Sequence, residues 1–187
     1  MSRSYIAIFP SNPLTPNPDR QLVTNKLKEH RFLDERDYEW KNPETGLVEI
    51  YFRPGVRYIE FYDLFENSQI NIQEDLKQTL IDFKEHDKIE VEVYAPGKFI
   101  VTNPETGSAL GENWSDELGQ FLDNYNHKWT DPLNNKQYYF FELQCSDIAL
   151  GQHFLTIEEG LGEPNSKLLK LLQNITGQEY KWIWTKI

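Results

Sequence analysis

Three strand-like runs, Asp37–Lys41, Leu47–Arg53 and Val56–Tyr62, follow one another with only residues 42–46 and 54–55 between them. A parallel neighbour needs a crossover of a dozen or more residues, usually a helix. Connections this short therefore restrict successive strands to antiparallel hairpins. Helical patterns stand between groups of such runs, so the fold class expected is α+β: an antiparallel or mixed sheet built from hairpins, with helices packed mainly on one face. At 187 residues the chain is long enough for one domain, 1–187, with a substantial core.

Ser4–Phe9 reads as a first strand, and the proline-rich "SNPLTPNPDR" after it as loop. Residues 19–30 read as a helix capped by Asp19, with Leu22, Val23 and Leu27 on one face. A second helix fits 72–86, with Leu76, Leu80 and Phe83 in one stripe. Lys88–Tyr94 alternates strictly, which marks a strand with Ile89, Val91 and Val93 on the buried side. Ala95-Pro96-Gly97 would turn it into a partner strand, Phe99–Thr102. "SDELGQFLDNYNHKW" is the clearest helix, with Ser115 as its expected N-cap and Leu118, Phe121, Leu122, Tyr125 and Trp129 as its apolar stripe. Tyr138–Gln144 reads as a strand, "GLGEPN" (160–165) as a short linker, "NSKLLKLLQNI" as a helix and "EYKWIWTKI" as a closing strand.

The pentapeptide Asn-Pro-Glu-Thr-Gly occurs twice, at 42–46 and 103–107. Asn suits the first position of a type I turn, Pro presets the next dihedral, and Gly supplies the left-handed residue that returns the chain. A phosphate-cradling loop would need further glycines or a Lys-Ser/Thr pair. The pentapeptide reads as a turn used twice. A decayed α–β duplication around 19–52 and 72–110 is the other reading, and the flanking residues "DYEWK" and "KFIVT" do not align.

The net charge is −11, and residues 64–147 hold 16 acidic against 6 basic side chains. That balance disfavours direct binding to a nucleic-acid backbone and favours a protein partner with a basic surface. No apolar run approaches the ~18 residues of a membrane span, and Tyr5–Phe9 is too short for a signal-peptide core. A lone cysteine, Cys145, excludes an intrachain disulfide, so a cytoplasmic location is expected.

Catalytic signatures are missing: the chain has no G-x-S-x-G, P-loop or G-x-G-x-x-G. Asp82 and His86, four apart on the expected helix, read as a solvated pair before a metal site. Cys145 and His153 read as a buried thiol and a separate histidine before a nucleophile and base. No catalytic residue, metal or cofactor is expected, and the chain reads as a non-enzyme.

The strands' outward residues carry more information. The alternation places Glu49 and Tyr51, then Tyr58, Glu60 and Tyr62, then Glu90, Glu92 and Tyr94, on the wet side of their strands. Tyr brings large rigid area with a polar tip, and carboxylates beside it pair with a partner's Arg or Lys. Trp114, Asp116 and Glu117 at the helix start form a second acidic and aromatic set.

A small acidic α+β chain with one cysteine, acidic and aromatic faces and no catalytic motif resembles the immunity proteins of bacterial polymorphic toxins, delivered by type VI or contact-dependent secretion. The resemblance implies a cytoplasmic antidote that occludes the active site of one cognate toxin. A structural or regulatory adaptor, and a small enzyme using carboxylates, are the alternatives from other classes.

Overall fold

In the computed structural model the described residues are 4–41, 43, 45–64, 72–93, 99–145, 147–158 and 162–186. Strand β1 (Ser4–Pro10) leads through the proline-rich loop to helix α1 (Arg20–Glu29), whose N-cap is Asp19, with its carboxylate accepting the Leu22 N–H. Strands β2 (Leu33–Lys41) and β3 (Val48–Pro54) form the expected hairpin. A 3₁₀ turn (Tyr58–Phe61), the short strand β4 (Tyr62–Leu64) and helix α2 (Ile72–Gln78) lead to the long strand β5 (Leu80–Val93). Helix α3 (Trp114–Asp123) and the two-residue strands β6 (Trp129–Thr130) and β7 (Gln137–Tyr138) lie between β5 and β8 (Ile148–Glu158). Strand β9 (Gly162–Pro164), helix α4 (Ser166–Thr176) and strand β10 (Tyr180–Lys186) complete the order.

Six strands form one sheet in the order β10-β1-β8-β5-β3-β2, and every pair among the described residues is antiparallel. The α+β expectation holds, with α1 and α4 on one face. The register explains which face. One rung across the sheet reads Phe52–Ile81–Ile157–Ile6, and it is buried against Val23 and Leu27 of α1 and Leu168, Leu171 and Leu172 of α4. The adjacent rung reads Tyr38–Tyr51–Asp82–Thr156–Ala7, and it points the other way. Burial of the apolar rungs stabilises the helix–sheet contact at ~25 cal/mol per Å² removed from water.

Several elements differ from the expectation. The helix expected over 72–86 ends at Gln78, because from Leu80 the chain pairs with β8 and β3, placing Ile81 and Phe83 in the core. The strand expected over Val56–Tyr62 is a 3₁₀ turn instead. Tyr58, Phe61 and Tyr62 therefore turn inward, and Tyr58 stacks between Phe32 and Tyr62. Phe99–Thr102 is not a partner strand: Thr102 only bridges Ala109 and Gln144. Tyr138–Gln144 is a short strand followed by a 3₁₀ turn. Asn113, not Ser115, precedes the first turn of α3. Leu22 is exposed, while Val23 and Leu27 are buried. Residues 162–164 of the expected linker pair with β4, and Gly162 permits this because a Cβ there would sit 2.2 Å from the Asp63 carbonyl oxygen.

The segment between β5 and β8 builds a second cluster of its own, in which Val101, Leu118, Phe121 and Phe140 pack with Ile89 of β5 and Ile148 and Leu150 of β8. Its second Asn-Pro-Glu-Thr-Gly copy is an internal staple. Buried Asp131 accepts from Asn103 at 2.6 Å, from the Thr106 hydroxyl and from the Leu133 N–H at 2.7 Å. Burial alone would raise the Asp131 pKa, and these hydrogen bonds outweigh it and hold the carboxyl below its ordinary value. The first copy lies in the β2–β3 loop, where Pro43, Thr45 and Gly46 are exposed. Gly46 and Gly107 have φ of 72° and 71°, so each copy places its glycine in the same left-handed turn conformation. The surroundings differ: one copy joins a hairpin, the other bonds to the β6–β7 turn.

Candidate partner-binding face

The hairpin β2–β3 reaches beyond the core. Only Leu33 of β2 and Phe52 of β3 are buried, while Tyr38, Trp40, Leu47, Val48 and Ile50 are exposed, with Trp40 at 47% and Val48 at 56%. Val48 and Ile50, expected inside on alternation, are exposed, and no helix among the described residues packs with them into the core. The register puts Tyr38 and Trp40 on one face of the hairpin and Val48 and Ile50 on the other.

On the face away from α1 and α4, β2 presents Tyr38 and Trp40, β3 Glu49 and Tyr51, β5 Asp82 and Lys84, and β8 Thr156 and Glu158. Glu49, Tyr51, Leu80, Asp82, Lys84, Glu85, His86, Thr156 and Glu158 line a concavity of about 450 Å³. The Tyr51 hydroxyl donates to Glu49, and burial together with this bond raises its pKa. Burial also raises the Asp82 pKa, opposed by Arg20, whose guanidinium lies 3.8 Å away, and by Lys84. The Lys84 ammonium sits 4.8 Å from the centre of the Tyr5 ring and 3.9 Å from Glu92. Tyr5 donates to Glu92, and burial with that bond pushes the phenol up to about 12. The Tyr38 ring is braced by the Arg53 guanidinium at 5.4 Å, itself fixed by a 2.6 Å bond to the Lys77 carbonyl. Four carboxylates thus border one concavity beside ordered aromatic rings.

The residues expected at a partner surface are distributed unevenly. Glu49 and Tyr51 line the concavity on this face. Tyr58 and Tyr62 are core residues, 0% and 5% exposed, and are not surface groups: the 3₁₀ turn brings Tyr58 inward with Phe61 three residues on, and Tyr62 opens β4 stacked on the Tyr58 ring. Glu60 is exposed and forms a bidentate contact with Arg57. Glu90 is exposed, whereas Glu92 is half-buried and engaged by Tyr5 and Lys84. Tyr94 and the expected Ala95-Pro96-Gly97 turn lie outside the described residues. Trp114 packs edge-on against Phe99 with ring centres 5.0 Å apart. Glu117 bonds to His127 at 2.7 Å, and Asp116 is exposed. Trp114 borders a separate apolar groove with Phe99, Ile100 and Glu112, which shares no residue with the concavity. The sequence reading places none of Tyr38, Trp40 and Asp82 at a partner surface. Their signal was present for Tyr38 and Trp40, which alternate with charges along "DYEWK".

The paired groups weighed for chemistry come apart. Asp82 and His86 are on a strand, not a helix, and no cluster of metal-ligating side chains occurs among the described residues. Burial raises the Cys145 thiol, and the two ring nitrogens of His153 face Asn17 and the Tyr180 hydroxyl. Among the described residues no helix is long and apolar enough to cross a membrane. Comparison with protein-family models, curated proteins and solved structures found no match for this chain.

Proposed function

We propose that this chain is a binding protein of the immunity type, which neutralises a cognate toxin by laying its acidic, aromatic sheet face over a basic active-site region of that toxin. The observation that carries the reading is the concavity bordered by Glu49, Asp82, Glu85 and Glu158, beside the protruding hairpin with Tyr38 and Trp40. Carboxylates at a rim speed encounter with a basic partner, and exposed aromatics supply the area that becomes buried. Only part of the expected surface takes part, since Tyr58 and Tyr62 are interior.

The test is co-expression with the product of the adjacent reading frame, followed by size-exclusion chromatography and a toxicity assay. A one-to-one complex that abolishes toxicity is expected. Trp40→Ala should weaken it by at least about 2 kcal/mol, as a central aromatic contact does, and Glu49→Lys by tenfold or more, chiefly at low salt. A complex unaffected by both substitutions would remove this face from the interface.

A second reading, an enzyme using Asp82 in acid–base chemistry, is favoured by the raised pKa of that carboxyl within a concavity. It predicts turnover that Asp82→Asn abolishes. An adaptor that self-associates through the β2 edge is disfavoured by that strand's net negative charge, with Asp34, Glu35, Asp37 and Glu39 against Arg36 and Lys41.

A further inference from the structure

The register of the β2–β3 hairpin breaks at one place. Leu33 pairs with Pro54 and Asp37 with Phe52, so residues 34–36 of β2 stand opposite the single residue Arg53. A bulge of this kind bends its strand and re-aims the side chains beside it. Next to it lies a groove of about 540 Å³, bordered by Asp34 and Tyr38 of β2, Val56 and Ile59 after β3, and Leu76 and Lys77 of α2. The groove shares no residue with the acidic concavity.

Arg53 stands in the wall of this groove with its guanidinium fixed. Nη1 donates to the Lys77 carbonyl at 2.6 Å and to the Thr79 carbonyl at 3.2 Å, and the group lies over the Tyr38 ring at 5.4 Å. Nε and Nη2 have no hydrogen-bond partner among the described residues. Those two donors form the side-on fork that a carboxylate meets with both oxygens. The chain itself shows the pairing at Arg57, which holds Glu60 through Nε at 2.9 Å and Nη2 at 2.6 Å.

The other walls select what the carboxylate is attached to. Val56 is 83% exposed, and Ile59 and Leu76 are half-buried, so an apolar body laid across them removes apolar surface from water. Two basic groups, Arg53 and Lys77, face one acidic group, Asp34, which leaves the lining one positive charge in excess. That balance suits a monoanion, whereas a phosphate monoester would bring nearly twice the charge toward Asp34. An apolar surface with a few convergent polar groups, at this volume, is the usual form of a small-molecule site.

We infer that this groove binds a small molecule with an apolar body and a single carboxylate, the carboxylate held by Nε and Nη2 of Arg53 and the body lying on Val56, Ile59 and Leu76. The site does not depend on the partner-binding reading and uses none of the carboxylates of the concavity.

The full chain would be titrated with phenylpropionate and followed by nitrogen–proton correlation NMR that includes the arginine Nε–H signals. Expected are saturable one-to-one binding and a shift of the Arg53 Nε–H signal, with the Arg57 signal unmoved because Glu60 already fills its fork. Arg53→Lys keeps the charge and loses the fork, and should weaken binding about tenfold or more. Because Arg53 also holds the end of α2, Val56→Asp is the second variant: it places a charge under the apolar body at an exposed position, and should weaken binding to a similar degree. Asp34→Asn should tighten binding by removing the like charge. No saturable binding up to the solubility of the acid would overturn the inference. So would equal binding of phenylpropanol, which lacks the carboxylate, equal binding of propionate, which lacks the ring, or tighter binding of phenyl phosphate. Binding that leaves the Arg53 signal unmoved, or that survives both Arg53→Lys and Val56→Asp, would overturn it as well.

Discussion

Acidification from pH 7 to pH 4 should remove about 3 kcal/mol of stability through one residue, His153. This side chain is 3% exposed in the middle of β8, and burial lowers its pKa to about 4. A neutral ring satisfies both of its contacts. Nδ1 faces the Asn17 carbonyl oxygen at 3.1 Å, so it carries the proton, and Nε2 accepts from the Tyr180 hydroxyl at 3.2 Å. The bonds tie the proline-rich loop and β10 to the central strand. Between the unfolded value near 6.5 and the folded value near 4, the unfolded chain holds a proton that the native chain lacks. Stability must therefore rise with pH across that window and fall as pH drops through it. Urea midpoints measured from pH 7 to pH 4 should show the slope in the natural chain. His153→Gln should be less stable at neutral pH and lack that slope. Parallel profiles for the two chains would mean that His153 titrates normally. Asp131 acts in a lower window: with its folded pKa depressed, its contribution is present above the ordinary carboxylate range and lost as pH falls through that range, so it changes little between pH 7 and about 5.

The second large effect is expected in the duplicated turn, and in one copy only. Asn103→Ala should cost about 2–4 kcal/mol, because it removes the 2.6 Å bond to Asp131 and the acceptor of the Glu105 N–H at 2.9 Å, leaving a buried carboxylate short of a donor. Thr106→Val should act in the same direction by losing its hydroxyl bond to Asp131. Thr45→Val, at the corresponding position of the exposed first copy, should change stability by less than about 0.5 kcal/mol. Thermal or urea unfolding of the variants measures this directly. Equal losses from Thr45→Val and Thr106→Val would show that the pentapeptide matters as a turn and not as a staple.

The contrast between these copies shows where sequence reasoning reaches its limit. Local chemistry determined the cap of α1 at Asp19, the left-handed glycines at 46 and 107, the hairpin of β2 and β3, the helix at 166–176 and the closing strand. Each depends on residues a few positions apart, and the short connections among them were enough for the α+β class. Partner strands decided the rest. The stripe Leu76, Leu80 and Phe83 fits a helix, but ten paired positions with β8 drew residues 80–93 into a strand. Strand β8 itself was not expected, because a central strand buried on both faces has no alternation to see: its residues from Ile148 to Ile157 are buried except Gln152.

The candidate site divides the same way. Glu49 and Tyr51 were legible from alternation. Tyr58 and Tyr62 were misplaced because a 3₁₀ turn changes the period of the chain, and no residue near them announces that change. Asp82 joined the face only through its pairing with Tyr51 and Thr156, across contacts far apart in sequence. The sequence by itself determined the sign of the net charge, the β2–β3 hairpin and the left-handed glycines of the duplicated turn, since those follow from residue type and near neighbours. Only the tertiary structure decided which carboxylates share a concavity, which tyrosines are core, and which residues of β3 pair with β5, because each depends on strands brought together from distant parts of the chain.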